Sequence, residues 1–106
     1  MKILTKEIEK KFQKFPFHSQ DEKGENAEVI LKVFNPYGRG TWLITEAEQE
    51  DGRWIGYGCM NIYEWEWGYV DITELVEARV PVFGCKMPLE RDLYCKGMTV
   101  RELKAA

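Results

Sequence analysis

Arg91 stands between two acids, Glu90 and Asp92, inside the otherwise apolar phrase Leu89 to Cys95. Read as a strand, that phrase puts Leu89, Arg91, Leu93 and Cys95 on one face and Glu90, Asp92 and Tyr94 on the other. A guanidinium among apolar neighbours needs a carboxylate, because an isolated buried charge is strongly unfavourable. Glu46 and Glu74 are the expected partners. The chemical alternative is an arginine that grips a carboxylate or phosphate, positioned by Glu90 or Asp92. Glu46, Glu90 and Asp92 are also the residues that would serve acid–base work or hold Mg²⁺. No spacing places any two of them together, so no catalytic residue is nominated. His18 has no nucleophile signal beside it. Cys59, Cys85 and Cys95 form no Cys-x-x-Cys pair, and one histidine does not complete a zinc site. Glycine loops of the phosphate-cradling kinds are missing. The expectation is no metal and no cofactor, and the balance leans away from an enzyme.

A second constellation concerns recognition. Trp65, Trp67 and Tyr69 alternate with Glu64 and Glu66, so the three rings share one strand face. One reading packs them, with nearby Trp54 and Tyr57, into the core. Fully burying alternating tryptophans is difficult because each carries a polar N–H. A half-exposed aromatic patch rimmed by Glu64, Glu66, Glu48 and Glu50 would suit a protein interface, with rings as anchors and acids for steering. The formal charge of -3 is unevenly spread. Between Trp42 and Glu77 stand nine acids (Glu46, Glu48, Glu50, Asp51, Glu64, Glu66, Asp71, Glu74, Glu77) against Arg53 alone. Such a surface repels phosphate backbones and attracts basic partners. The basic stretch Lys6 to Lys14 is the local exception, but the overall charge opposes direct nucleic-acid binding.

These residues need elements to hold them. Thr5 to Phe15 reads as a helix, capped by Thr5, with Ile8, Phe12 and Phe15 at helical spacing and Pro16 as its stop. His18 to Asn26 reads as an exposed, mobile loop. Ala27 to Phe34 is apolar enough for a central strand. Asn35 to Gly40 is turn chemistry, followed by a strand from Thr41 to Ala47 with Trp42 and Ile44 on one face and Leu43 and Thr45 on the other. Asp51-Gly52 marks a hairpin into Arg53 to Met60. Gly56 and Gly58 share a face there and imply a bulge or a close neighbour. Glu64 to Val70 is the fourth strand. Asp71 and Glu74 have capping-box spacing and open a short helix to about Arg79. Val80 to Gly84 reads as loop or edge, and Leu89 to Cys95 as a fifth strand or helical turn. Thr99 and Glu102 form another capping box, opening a C-terminal helix. The expected class is α+β, a mostly antiparallel sheet of four to five strands in one domain spanning 1–106.

Composition agrees. With 44% apolar and 31% charged residues the chain is globular in type. No apolar run approaches the roughly 20 residues that cross a bilayer. The opening Met1-Lys2-Ile3-Leu4-Thr5-Lys6 lacks a long apolar segment, so the expectation is no secretory signal, no membrane and a cytoplasmic protein. The cysteines are then expected as buried free thiols.

Several phrases resemble the family known as domain of unknown function 2958. They are Leu4-Thr5-Lys6-Glu7, Phe34-Asn35-Pro36-Tyr37-Gly38, Thr41-Trp42-Leu43-Ile44-Thr45-Glu46, Gly68-Tyr69-Val70, Glu74-Leu75 and Pro88-Leu89-Glu90-Arg91-Asp92-Leu93-Tyr94. They run in the family's order over nearly the whole chain. Asn61 to Trp67 departs most from the pattern. The resemblance implies a compact α+β protein of bacterial plasmids, integrating elements and phages, and carries no activity, cofactor or catalytic residue. The resulting expectation is a non-catalytic module that binds another protein, basic or itself nucleic-acid-binding, through its acidic and aromatic surface. A sharper form is a nucleic-acid mimic that inhibits a host defence protein. The alternative is a small enzyme or ligand binder centred on Arg91 and its neighbouring carboxylates.

Overall fold

The computed structural model describes residues 2–106. Helix α1 (Lys6–Phe12) starts where Thr5 accepts a hydrogen bond from the Ile8 N–H. It is shorter than its apolar spacing predicts. Lys14 and Phe15 donate to the carbonyls three residues back, so the chain tightens before Pro16 stops it. Next come 3-10 turns at Asp21–Asn26, broken at Gly24. Strands β1 (Leu31–Phe34), β2 (Thr41–Glu50), β3 (Arg53–Asn61) and β4 (Trp65–Asp71) follow. Then come α2 (Ile72–Glu77), a hairpin of β5 (Arg79–Val82) and β6 (Cys85–Pro88), β7 (Glu90–Arg91) and α3 (Val100–Ala105).

Five strands form one antiparallel sheet in the order β4-β3-β2-β1-β7, and β5 and β6 pair separately. The architecture is α+β. Both faces of the sheet are covered over part of their extent. On one face Phe12, Ile72 and Leu75 pack with Trp54, Ile44, Leu31 and Val33. On the other, Val100 and Leu103 of α3 close over Leu43, Cys59, Ala27 and Val29. Asp71 caps α2 by accepting from the Glu74 N–H and pairs with Arg53 at 2.7 Å. Chiefly through that hydrogen bond, Arg53 holds the Asp71 carboxyl below its ordinary 3.8.

Three sequence expectations change. The first strand begins at Leu31 rather than Ala27 and lies next to the two-residue β7, so it is not the centre of the sheet. The stretch Leu89 to Cys95 contributes only Glu90–Arg91 as strand. Leu89 enters one core, Cys95 the other, and Leu93 is exposed, so the four residues expected on one face are split. The segment read as loop or edge, Val80 to Gly84, resolves into strand at Val80 to Val82 and turn at Phe83 and Gly84 of the β5–β6 hairpin. Its turn residues Phe83 and Gly84 have φ of 50° and 82°. Both values fit a two-residue primed turn, whose first position favours Asn over a bulky residue. A phenylalanine stands where turn chemistry is normally sought, so the turn is not legible from residue types. Phe83 is fully exposed, so nothing in the monomer offsets its backbone strain. F83N is expected to stabilise the fold by about 0.5–1 kcal/mol. Thermal unfolding checks this, and a lower midpoint would mean that Phe83 makes a stabilising contact.

Candidate interaction surface

The surface depends on a bulge in β2. Ile44 lies opposite Gly58, but Glu46, not Thr45, lies opposite Tyr57. One extra residue has entered the strand, and the side-chain alternation inverts beyond it. Strict alternation from Trp42 and Ile44 would put Glu46 in the helix-covered core. The bulge turns it to the face that carries Leu43, Tyr57 and Cys59. Gly58 makes this approach possible, because a Cβ there would collide with the Leu43 carbonyl and the Ile44 Cα. The paired glycines thus have separate causes. Gly58 faces the bulge, whereas a Cβ at Gly56 would press on Ile44 and on Ile72 of α2.

Glu46 is 2% exposed. Its carboxylate accepts from the His18 N–H at 2.9 Å and the Gln20 N–H at 2.8 Å. Glu48 accepts from the Phe17 N–H at 2.9 Å, and the Ala47 N–H donates to the Phe15 carbonyl. The chain from Phe15 to Gln20 therefore covers the edge of β2 that β1 leaves unpaired. Gln20, 3% exposed, fills the remaining gap. Its amide donates to the Glu28 and Thr45 carbonyls and accepts from the Glu28 N–H. What reads in sequence as a mobile loop is, through Gln20, a closely tied cover.

On this cover rests an aromatic row. Phe17 meets Tyr69 edge-on at 5.3 Å between centroids, Tyr69 lies 4.9 Å from Tyr57, and Tyr57 stacks on Trp67 at 5.9 Å. Such offset and edge contacts orient rings beyond what burial alone does. Burial of Tyr57 pushes its phenol above its ordinary value. Trp67 and Tyr69 remain 40% and 58% exposed. Trp65, on the same face, is half-buried beneath the Lys104 ammonium, 5.6 Å from its ring. Trp54 lies on the opposite face, buried against Phe12, and its indole N–H reaches Glu9. Beside Trp67 and Tyr57 opens a hollow of about 250 Å³ reaching Asp21 and Glu46.

The acids expected around this row are arranged differently. Glu46 is internal, and Glu48 is half-buried in the same tie. Glu66 alternates to the other face of β4, Glu64 precedes the strand, and Glu50 sits at the far hairpin end. Asp21, with Glu22 and Glu25 in the same turns, joins the buried Glu46 in lining the hollow beside the rings. Sequence reading assigned these three to a loop and missed them, since only the Glu46 tie brings that loop to the rings.

The Arg91 group lies at the opposite sheet edge. Glu46 is committed elsewhere, and Glu74 is exposed on α2. Arg91 pairs with neither. Its guanidinium donates to the Ile3 carbonyl at 3.4 Å and has no carboxylate within 4.0 Å among the described residues. The expected buried ion pair is therefore replaced by one long hydrogen bond, because β7 borders β1 and a cleft rather than the sheet centre. Glu90 is half-buried beside Arg91, and Asp92 pairs with Lys32 at 3.4 Å. Cys59 and Cys95 are buried thiols, raised in pKa by that burial, whereas Cys85 is exposed on β6, against the expectation for all three. No helix among the described residues is long and apolar enough to cross a membrane.

No curated protein and no solved structure matches the chain. A family described as "Protein of unknown function (DUF2958)" matches residues 3–102, a span that takes in β2 with its bulge, the aromatic row and the Arg91 edge. By that match over nearly its whole length, the chain belongs to this family of proteins of unknown function.

Proposed function

We propose that the protein is a non-catalytic interaction module that binds a second protein through the aromatic face of β4. The observation that carries this reading is the exposure of Trp67 and Tyr69, held in a stacked row on an edge strand. A soluble domain gains nothing from aligned, solvent-facing indole and phenol rings, whereas aromatic anchors of this kind dominate binding energy at interfaces. Asp21, which lines the hollow beside Tyr57 and Trp67, favours a partner with a basic patch. With the plasmid and phage setting that the family resemblance implies, that partner is a host or element-encoded protein. Glu46 and Glu48 face inward to backbone N–H groups, so the acids do not form the open row that nucleic-acid mimicry needs.

The test uses wild-type protein and a W67A/Y69A variant as baits, at low and high salt. A specifically captured protein is expected to bind the variant at least about thirtyfold more weakly. The variant also loses the three ring contacts of the row, so binding is compared at a temperature well below both unfolding midpoints. Higher salt should also weaken capture. Equal binding by both baits would remove the aromatic face from recognition.

A further inference from the structure

At the sheet edge farthest from the aromatic row, α1, β1 and β7 enclose a cleft of about 290 Å³. A second depression continues across β7 and shares Lys32, Arg91, Asp92 and Leu93 with it. The cleft is at the small end of small-molecule sites, which run to roughly 300–1,000 Å³. Its walls divide by chemistry. Ile8 and the exposed Leu93 give an apolar side, while Ile30 and Leu31, also at the cleft, are buried in the core. Four cations, Lys11, Lys32, Arg91 and Lys96, meet two acids, Glu7 and Asp92. In a chain of net charge -3, this is a local positive site.

The cations are not equally engaged. Lys11 is bridged to Glu28 at 2.6 Å and Lys32 to Asp92 at 3.4 Å. Asp92 also accepts from the Tyr94 N–H, so its charge is doubly compensated. Arg91 and Lys96 have no carboxylate partner among the described residues. The Arg91 contact with Ile3 is at the long limit of a hydrogen bond and leaves most of the guanidinium donors available. A half-buried, uncommitted planar fork beside an apolar wall is matched by an anion with two acceptor oxygens and a hydrocarbon body.

We propose that this cleft binds a small amphipathic organic anion, its carboxylate or phosphate head on Arg91 and Lys96 and its apolar body on Ile8 and Leu93. The site is independent of the aromatic face. It also accounts for Asp92 beside Arg91. Asp92 fixes Lys32 at the rim, and β7 pairing sets the arginine backbone through Val33.

Isotope-labelled protein titrated with octanoate, octyl phosphate and neutral octanol tests the proposal by amide and guanidinium shift changes. At least one anion is expected to bind with Kd of about 1 mM or tighter, with shifts centred on Leu31, Lys32 and Arg91. The stronger of the two identifies the head group. Octanol should bind at least about tenfold more weakly. R91M should weaken the anion about tenfold or more, R91K less, and K96Q several-fold. Because R91M also removes the tether to Ile3, K96Q on the exposed Lys96 is the control that leaves folding contacts intact. The proposal is overturned if neither anion produces saturable shifts, if octanol binds equally well, or if K96Q and R91K both bind like wild type.

Discussion

Glu46→Ala is expected to destabilise the protein by about 2–4 kcal/mol, because two backbone donors, at His18 and Gln20, lose their charged acceptor. For a domain with a total stability of roughly 5–15 kcal/mol this is a large fraction. The loss should be local in character. Amide exchange at His18 and Gln20 should become fast, and the 3-10 turns should loosen, while the β2–β3 ladder stays protected. Glu46→Gln keeps the volume and one acceptor oxygen but turns an NH₂ toward one of the N–H groups, so about half of the loss is expected. Urea unfolding with native-state hydrogen exchange reads both. A change below about 1 kcal/mol for the alanine variant would show that Phe17 to Gln20 is held by something other than the carboxylate.

Gly58→Ala should be comparably severe, about 3 kcal/mol or more, because the new methyl meets backbone rather than a side chain that can swing away. Relief requires the strands to part at Leu43–Ile44 or the bulge to shift, and either movement misdirects Glu46. The two substitutions therefore act on one device. Their combined effect should fall short of the sum by about 1 kcal/mol or more, which a double-mutant cycle measures. Gly68 is the control. An added Cβ there meets only the Met60 terminal methyl at 4.0 Å, so G68A should change stability by no more than about 0.5 kcal/mol. A G58A protein as stable as G68A would mean that the close strand contact is not required.

These expectations connect folding with recognition. Loosening of Phe17 to Gln20 would remove Phe17 from the edge of Tyr69 and carry Asp21 away from Trp67. If the aromatic face is the proposed interface, Glu46→Ala should then weaken partner binding although Glu46 itself is buried. The Arg91 cleft, built from α1, β1 and β7, has no such dependence.

Local chemistry was enough for much of the architecture. Thr5, Asp71 and Thr99 announce three helix starts because capping involves residues within one turn. Asp51-Gly52 announces the β2–β3 hairpin, and alternation from Trp65 to Tyr69 places three rings on one face. Each of these rests on neighbours a few positions apart. The direction of Glu46 was not legible, because an inserted residue at Thr45 reverses a period-two pattern without changing any residue type. Nor was the partner of Arg91, since its nearest acceptor is the Ile3 carbonyl at the other end of the chain. Carboxylates are interchangeable in sequence. Only the packed sheet turns Glu46 inward to two N–H groups, leaves Arg91 beside an open cleft, and brings Asp21 to the exposed rings.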